Sequence, residues 1–335
     1  WRINIVSKRL RKEVNPIKQV LLKDLAQAAG VSEATASRAL SGSGRISQET
    51  RERVRSLAEV MGYQANPLAR GLAGGNTNLL GVCGSGVLKP FMHRLLSQLA
   101  SYASSQGQKL VFAPLPLLEG LRVLLPLQID GLIVCWEGLD EDMAEELLEE
   151  RALPTVVLGK RSEYCSSFDV DRARGVKTGV AKLIELGHRR IAFVGENTAS
   201  DKWQGFVSAH TDAGLSVSQD AIVACEGSPL GGFAALEQFL GSGFTAAFAT
   251  NDEIAVGLLR ALEEKNFKVP EDYSILGYDG IYLDQLGRPR LATLAQPSGA
   301  LAKMAINQLL DGTEQINESI PPELIVGDSI GKMRD

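Results

Sequence analysis

The chain begins its regular patterning with three short amphipathic helices, and a long alternation of strand-like and helix-like runs follows. Leu22, Leu25, Ala26 and Ala29 fall at i, i+3, i+4 and i+7, the stripe of a short helix. Gly30 can end that helix, because glycine enters the left-handed conformation without steric penalty. Ser32 is placed to cap a second helix whose inward stripe is Ala36, Ala39 and Leu40. After the loop Ser41–Gly44, Ser47 caps a third helix that ends at Gly62, with Val54, Leu57 and Met61 facing inward. Two short helices joined by a tight glycine turn make either a helix-turn-helix, whose second helix enters a DNA major groove, or a plain helical hairpin. Spacing alone leaves both open.

Asn66, Pro67 and Gly74 then mark the cap, first position and end of a helix of two turns. Such a helix is too short to persist alone, and Gly71 weakens it further by about 1 kcal/mol relative to alanine. It should form only when held by a partner, the alternative being a linker with accidental helical signals. From Leu79 onward, strand-like runs at 79–83, 109–113, 131–135, 155–158, 190–194, 221–225, 246–249, 274–277 and 292–295 alternate with helical runs. Those helices are expected at 91–106, 140–151, 173–186, 202–213, 231–240, 253–265 and 298–311. Alternating βα units imply parallel sheets covered on both faces. This many strands suit two sheets, and two such lobes would make a cleft at their carboxyl strand ends.

Charge sharpens the division. Residues 1–75 carry 13 Lys and Arg against 6 Asp and Glu, net +7, whereas the remainder carries 22 against 34, net −12. A basic amino-terminal segment on an acidic body points to a polyanion that meets only that segment. The four cysteines, Cys83, Cys135, Cys165 and Cys225, form no CxxC pair, so no zinc site or disulfide framework is suggested, which fits a reducing cytoplasm, and Cys83 and Cys135 in apolar strand-like runs read as buried free thiols. No 18-residue apolar run is present, so no membrane partner is expected. Enzyme motifs are missing too: the Gly81–Gly86 run has the wrong spacing for GxGxxG, and there is no GxxxxGK[ST], HExxH or GxSxG. His93, His188 and His210 are scattered, with His188 expected at the surface or a helix end, and Glu145, Glu146, Glu149 and Glu150 read as a solvated helix face.

The run Lys23-Asp24-Leu25-Ala26, Gly30-Val31-Ser32, Thr35, Ser37-Arg38, Gly62-Tyr63 and Asn66-Pro67 with Ala69 and Leu72 resembles the DNA-binding signature of the lac repressor (LacI/GalR) family of bacterial transcription regulators. Leu186–Gly195, Asn251-Asp252, Val269–Asp272, Gly277-Tyr278-Asp279 and Leu291–Pro297 follow in that family's order and spacing, so the resemblance covers nearly all of residues 20–330. It implies an α + α/β fold: a helix-turn-helix headpiece at 20–63 after a basic arm at 1–19, a hinge helix at 64–76, and two doubly wound, periplasmic-binding-protein-like lobes at 77–330. It also implies a cytoplasmic homodimeric repressor of a pseudopalindromic double-stranded operator, without catalytic residue, metal or cofactor. The effector is expected to be a sugar or sugar derivative bound between the lobes. A nucleoside or purine effector, or a non-regulatory sugar-binding protein, are the alternatives.

The same resemblance assigns positions. Glu33 and Ala34 fall where base edges are read, with Arg38 a further candidate; a glutamate accepts from cytosine N4 and an arginine forks onto guanine. Ser32, Thr35, Ser37 and Asn66 suit phosphates, which set register without reading sequence. Ala69 belongs to the hinge signature and Leu72 to the minor-groove wedge. Ser85, Phe91, Trp136, Lys160, Lys202, Asn251 and Asp279 are the expected effector residues, with Asp171 at an acidic position near the lobe crossover. Leu21 stands where a threonine often caps the first helix, Lys202 where an arginine commonly holds the effector, and Gly280 where a second aspartate follows the first. Lys89, Lys160 and Lys202 together would favour an anionic effector, and Lys202 alone a neutral one.

Overall fold

The computed structural model describes residues 20–42, 44–63, 76–84, 89–135, 153–195, 200–281 and 288–333. The sequence readings on the arm 1–19, the hinge helix and the helix 140–151 lie outside these residues. The chain divides into two compact units between Thr77 and Asn78.

The first unit holds α1 (Leu22–Ala28), α2 (Glu33–Ser41) and α3 (Gln48–Met61). Leu25, Ala26, Ala29, Ala36, Ala39, Val54 and Ala58 form its core, the small alanines letting the helices approach closely. Gly30 and Gly62 have positive φ and end their helices as expected, and Gly42, expected only as loop, also has positive φ and ends α2. Leu21 offers α1 no side-chain cap, but the Asp24 carboxylate accepts the Leu21 N–H at 3.0 Å, which supplies half of a capping box.

The second unit contains two sheets, each of six strands among the described residues. The strands are β1 (Leu79–Cys83), β2 (Lys109–Ala113), β3 (Gly131–Cys135), β4 (Thr155–Leu158), β5 (Ser166–Val170), β6 (Ile191–Val194), β7 (Ile222–Val223), β8 (Ala246–Ala249), β9 (Ser274–Asp279), β10 (Ala292–Ala295), β11 (Asn317–Ile320) and β12 (Glu323–Ile325). The helices are α4 (Pro90–Ser105), α5 (Leu117–Leu124), α6 (Arg172–Glu185), α7 (Asp201–Asp212), α8 (Pro229–Ala234), α9 (Leu236–Gly241), α10 (Asp252–Glu264) and α11 (Ser298–Asp311). The first lobe has the order β11-β5-β4-β3-β1-β2 and the second β12-β10-β9-β8-β6-β7. Pairing is parallel except between β10 and β12.

In the first lobe, alternate residues of β1, β3 and β4 enter two cores. Leu80, Val82, Ile133 and Val156 pack toward α4 and α11, while Leu79, Cys83, Leu132 and Val134 pack toward α5. Both faces are therefore buried, which explains the continuous apolar runs in the sequence. Cys83 and Cys135 are buried free thiols, and burial pushes each up to about 12, so they are inert at neutral pH. The second lobe centres on an aromatic cluster in which Phe193 meets Trp203, Phe206 and Phe248. After β10 the chain returns to the first lobe for α11 and β11, then back to the second for β12, so the lobes are not successive segments of sequence.

Three strands and one helix differ from the sequence reading. β5, β11 and β12 were not expected, nor was α5, whose segment is preceded by Pro114 and Pro116 and interrupted by Gly120. The helix expected at 231–240 is two helices, with a break at Ala235. His188 stands just past the end of α6, one of the two places expected for it, but not at the surface. It is buried, with Nδ1 at 2.9 Å from the Thr245 hydroxyl and Nε2 at 3.0 Å from the Ser274 hydroxyl and 3.1 Å from the Gly331 carbonyl. It ties the end of α6 to the carboxyl-terminal segment, and burial holds its imidazole below the ordinary histidine range.

Candidate functional site

Two places in the molecule have the geometry of a site, one in each unit. On α2, Ala36 and Ala39 face the core, which turns Glu33, Ala34, Ser37 and Arg38 outward as an exposed row beside Ser32. The Ser32 side chain accepts the Thr35 N–H at 3.2 Å, and the two hydroxyls lie 2.9 Å apart. One of the two hydroxyl hydrogens is spent on that contact, and the other is left for an outside acceptor. Asn66, Ala69 and Leu72 lie outside the described residues.

The second place is a cavity of about 610 Å³ in the second unit, at the carboxyl ends of the strands of both lobes. This is where open parallel sheets bind ligands. The first lobe contributes Lys89, Phe91, Met92 and Leu95 from the start of α4, Leu158 at the end of β4 with Gly159 just after it, Val170 from β5, and Leu301 from α11. The second lobe contributes Ser200 and Lys202 at the start of α7, Glu226 after β7, Asn251 and Glu253 at the start of α10, Asp279 from β9 and Gln296 after β10. Arg172, the first residue of α6, lines the cavity where the chain first crosses between lobes.

The cavity brings Phe91, Lys202, Asn251 and Asp279 together. Lys160 is not among the lining residues, although its neighbour Gly159 is; the β4 strand ends at Leu158 and Lys160 falls beyond its reach. Asp171, expected near the lobe crossover, stands there and caps α6, accepting the Arg174 N–H at 2.9 Å. Ser85 and Trp136 lie outside the described residues. Arg172, Glu226, Glu253 and Gln296 were missed. Arg172 directly follows Asp171, but nothing in its sequence context distinguishes a cleft arginine from a solvated one in the basic run Arg172–Arg174.

Electrostatics are set by burial and pairing. Lys202 Nζ donates to the Thr250 carbonyl at 2.6 Å and lies 3.8 Å from the Tyr278 ring centroid. Desolvation lowers its ammonium to about 8, partly offset by Asp279. Burial raises the Asp279 carboxyl above the usual carboxylate range, against the pull of Lys202 and of Gln296, whose amide donates to it at 2.6 Å. The Asn251 side-chain oxygen caps α10 by accepting the Ile254 N–H at 2.7 Å, and its amide nitrogen donates to the Gly227 carbonyl at 3.3 Å. Arg172 is paired with Asp169 at 2.8 Å and also donates to the carbonyls of Val170 at 3.3 Å and Gly159 at 3.4 Å. Three cations, Lys89, Arg172 and Lys202, thus face three acids, Glu226, Glu253 and Asp279. No cluster of His, Cys, Asp and Glu among the described residues could hold a metal ion, and none of their helices is long and apolar enough to cross a membrane.

Residues 21–66 match the family model for bacterial regulatory proteins of the lacI family, and residues 180–330 match the periplasmic binding protein-like domain. The HTH-type transcriptional regulator AscG of Escherichia coli strain K12 is 31% identical over 322 residues, spanning 91% of this chain and 95% of AscG. Among solved structures, the lac repressor dimer bound to operator and the anti-inducer ONPF matches with a TM-score of 0.80 at 26% identity, over 93% of this chain and 99% of that one. A lacI-family regulator from Enterococcus faecium with bound ribose matches with a TM-score of 0.69 at 28% identity, over 76% of this chain and all of that one (100%).

Proposed function

The chain belongs to the lacI family of bacterial regulatory proteins, and from that premise we propose how it works as a cytoplasmic repressor: a homodimer holds a pseudopalindromic operator through two copies of α2, and a small polyhydroxylated molecule in the cleft changes that hold. The observation that carries the effector reading is the convergence of Lys202, Asn251, Asp279 and Gln296 opposite Phe91 in one cavity. Hydroxyl groups both donate and accept, and a wall that alternates ammonium, amide and carboxylate meets both needs, while the aromatic ring covers the apolar face of a sugar. Equal numbers of lining cations and acids favour a neutral ligand over a sugar phosphate. The cleft is read as binding its ligand without transforming it, since Asp279, Lys202 and Arg172 are engaged in bonds that orient them.

On α2, Glu33, Ala34 and Arg38 are read as the base-reading positions, with Ser32, Thr35 and Ser37 on phosphates. The second copy is assigned to the pair α8 and α10. These helices meet backbone to backbone, because a Cβ on Gly232 would collide with the Ile254 carbonyl and one on Gly257 with that of Pro229. Leu230, at 81% exposure, Phe233 and Val256 remain exposed on that helix pair, and a dimer would cover them.

Footprinting on genomic fragments at about 150 mM salt, where non-specific phosphate binding is suppressed, tests the reading. A protected pseudopalindrome whose occupancy changes with ribose, cellobiose or another free sugar supports it. A response confined to purines such as hypoxanthine would move the effector to the alternative class. A protected site that no sugar or purine alters would leave only the DNA-binding half standing.

A further inference from the structure

Asp252 has no exposed surface and does not line the cleft, although Asn251 and Glu253 on either side of it do. It is the first residue of α10. Its Oδ1 accepts the Thr293 hydroxyl at 2.6 Å, and its Oδ2 accepts the backbone N–H of Ile281 at 3.0 Å. The Thr293 oxygen in turn accepts the Gly280 N–H at 3.3 Å. The chain leaving β9 at Asp279 is therefore gripped at its next two amides, one directly and one through Thr293.

The turn needs that grip. Asp279 and Gly280 have φ values of +116° and +69°, and a positive φ is sterically unfavourable for any residue bearing a Cβ. Space is closed as well: a Cβ on Gly277 would collide with the Asp252 carboxylate, and one on Gly280 with Ala295. A buried carboxylate is costly unless both oxygens find donors, and here both do. The amino end of α10 and the nearby Lys202 lend further positive charge. Among the described residues both partners donate to Asp252. Asparagine keeps one acceptor for the Ile281 N–H and must turn its N–H toward the Thr293 oxygen, so the threonine hydroxyl loses its carboxylate acceptor and the charge-assisted bond is lost.

We propose that Asp252 is a positioning residue for the effector site, pinning the 279–281 turn so that the Asp279 carboxylate is held at the cleft. Its biological consequence rests on the cleft being the effector site, but its physical content does not, and the two can fail separately. The full chain is compared with Asp252→Asn, Asp279→Asn and the double variant. Carbon-13 NMR of carboxyl-labelled aspartate follows the Asp279 resonance, assigned by its loss in Asp279→Asn. In Asp252→Asn the Asp279 titration midpoint is expected to fall toward the ordinary carboxylate range as the turn opens to water. Hydrogen exchange at Gly280 and Ile281 should speed up by on the order of tenfold, as local openings become more frequent.

D-ribose titration gives the functional arm: Asp252→Asn should weaken binding about tenfold, and the double variant should bind no more weakly than Asp279→Asn alone. A folded Asp252→Asn whose Asp279 titration is unchanged would overturn the proposal, and so would ribose losses that simply add. Should ribose fail to bind the unaltered chain, the effector reading suffers and the titration still decides the role of Asp252. If Asp252→Asn does not fold, Thr293→Val, which removes the bridging hydroxyl, must shift the Asp279 midpoint in the same direction by a smaller amount.

Discussion

The two walls of the cleft are built from different chemistry. The first lobe presents Phe91, Met92, Leu95, Leu158, Val170 and Leu301, with Lys89 at its rim, whereas the second presents Lys202, Glu226, Asn251, Glu253, Asp279 and Gln296. Apolar contact is non-directional and roughly proportional to area, while a hydrogen bond fails when its partner is misplaced. On the proposed function, the second lobe would tell one sugar from another and the first would cover whichever one fits. The preorganisation follows the same split: on the second lobe Asp279, Lys202 and Asn251 are each held by a named bond, and Asp252 stands behind the turn that carries Asp279.

That contrast can be broken from either side. Asp279→Ala removes a charged acceptor and should weaken sugar binding by about a hundredfold, on the scale of 1.5–3 kcal/mol for a hydrogen bond to a charged group. Operator binding without effector should be unchanged in gel-shift titrations, and the loss should differ between epimers. Phe91→Ala removes covering area instead. It should cost about 2 kcal/mol for every sugar alike, read by isothermal titration; an epimer-dependent loss would refute the division between the walls. At the oligomer level, Leu230→Glu should yield monomers by sedimentation and lose operator affinity while sugar binding persists, separating the cleft from the dimer face.

Acid should act first on the second lobe. Burial lowers the pKa of both His188 and His210 from the ordinary value of 6.5. His210 donates Nδ1–H to the Phe206 carbonyl at 2.8 Å. The unfolded chain therefore takes up protons before the folded one as pH falls below 6.5, and stability declines there by at most about 1.4 kcal/mol per pH unit for each histidine. His93 in the first lobe is exposed. Hydrogen exchange at pH 5.5 should thus rise in the second lobe before the first. Lys202 gives the smallest effect and the opposite pH direction. Its ammonium, at about 8, is charged at pH 7 and largely neutral at pH 9, so affinity should fall several-fold across that interval. The unfolded lysine keeps its proton up to about 10.5, so deprotonation in the folded state raises stability over the same window. Weaker binding at pH 9 is then not unfolding, and Lys202→Arg should flatten the profile.

Local pattern determined a great deal of this protein. The stripes at Leu25, Ala26, Ala36, Ala39 and Val54, the caps at Ser32 and Ser47, and the glycine stops at Gly30 and Gly62 are short-range features, and they place α1, α2 and α3 without any partner. The apolar runs of β1, β3, β8 and β10 are legible for the same reason, since burial on both faces needs continuous hydrophobicity. Tertiary structure alone decided β5 and β11. Ser166 and Ser167 were not expected in a strand and are fixed by Ile316 and Asn317: Ser166 accepts the Ile316 N–H at 3.0 Å, and Ser167 donates to the Asn317 side chain at 2.6 Å. That pairing spans 150 residues, beyond the reach of any periodicity. The cleft divides in the same way. Asn251, Asp279 and Gln296 stand in quoted motifs and Phe91 and Lys202 at positions the resemblance assigns, but Arg172 and Glu226 reach the same cavity only because three passages of chain between the lobes bring their strand ends together. Asp252 is the clearest case. Its letter was visible beside Asn251, yet its role depends on two donors, Thr293 and Ile281, that only the packed second lobe supplies.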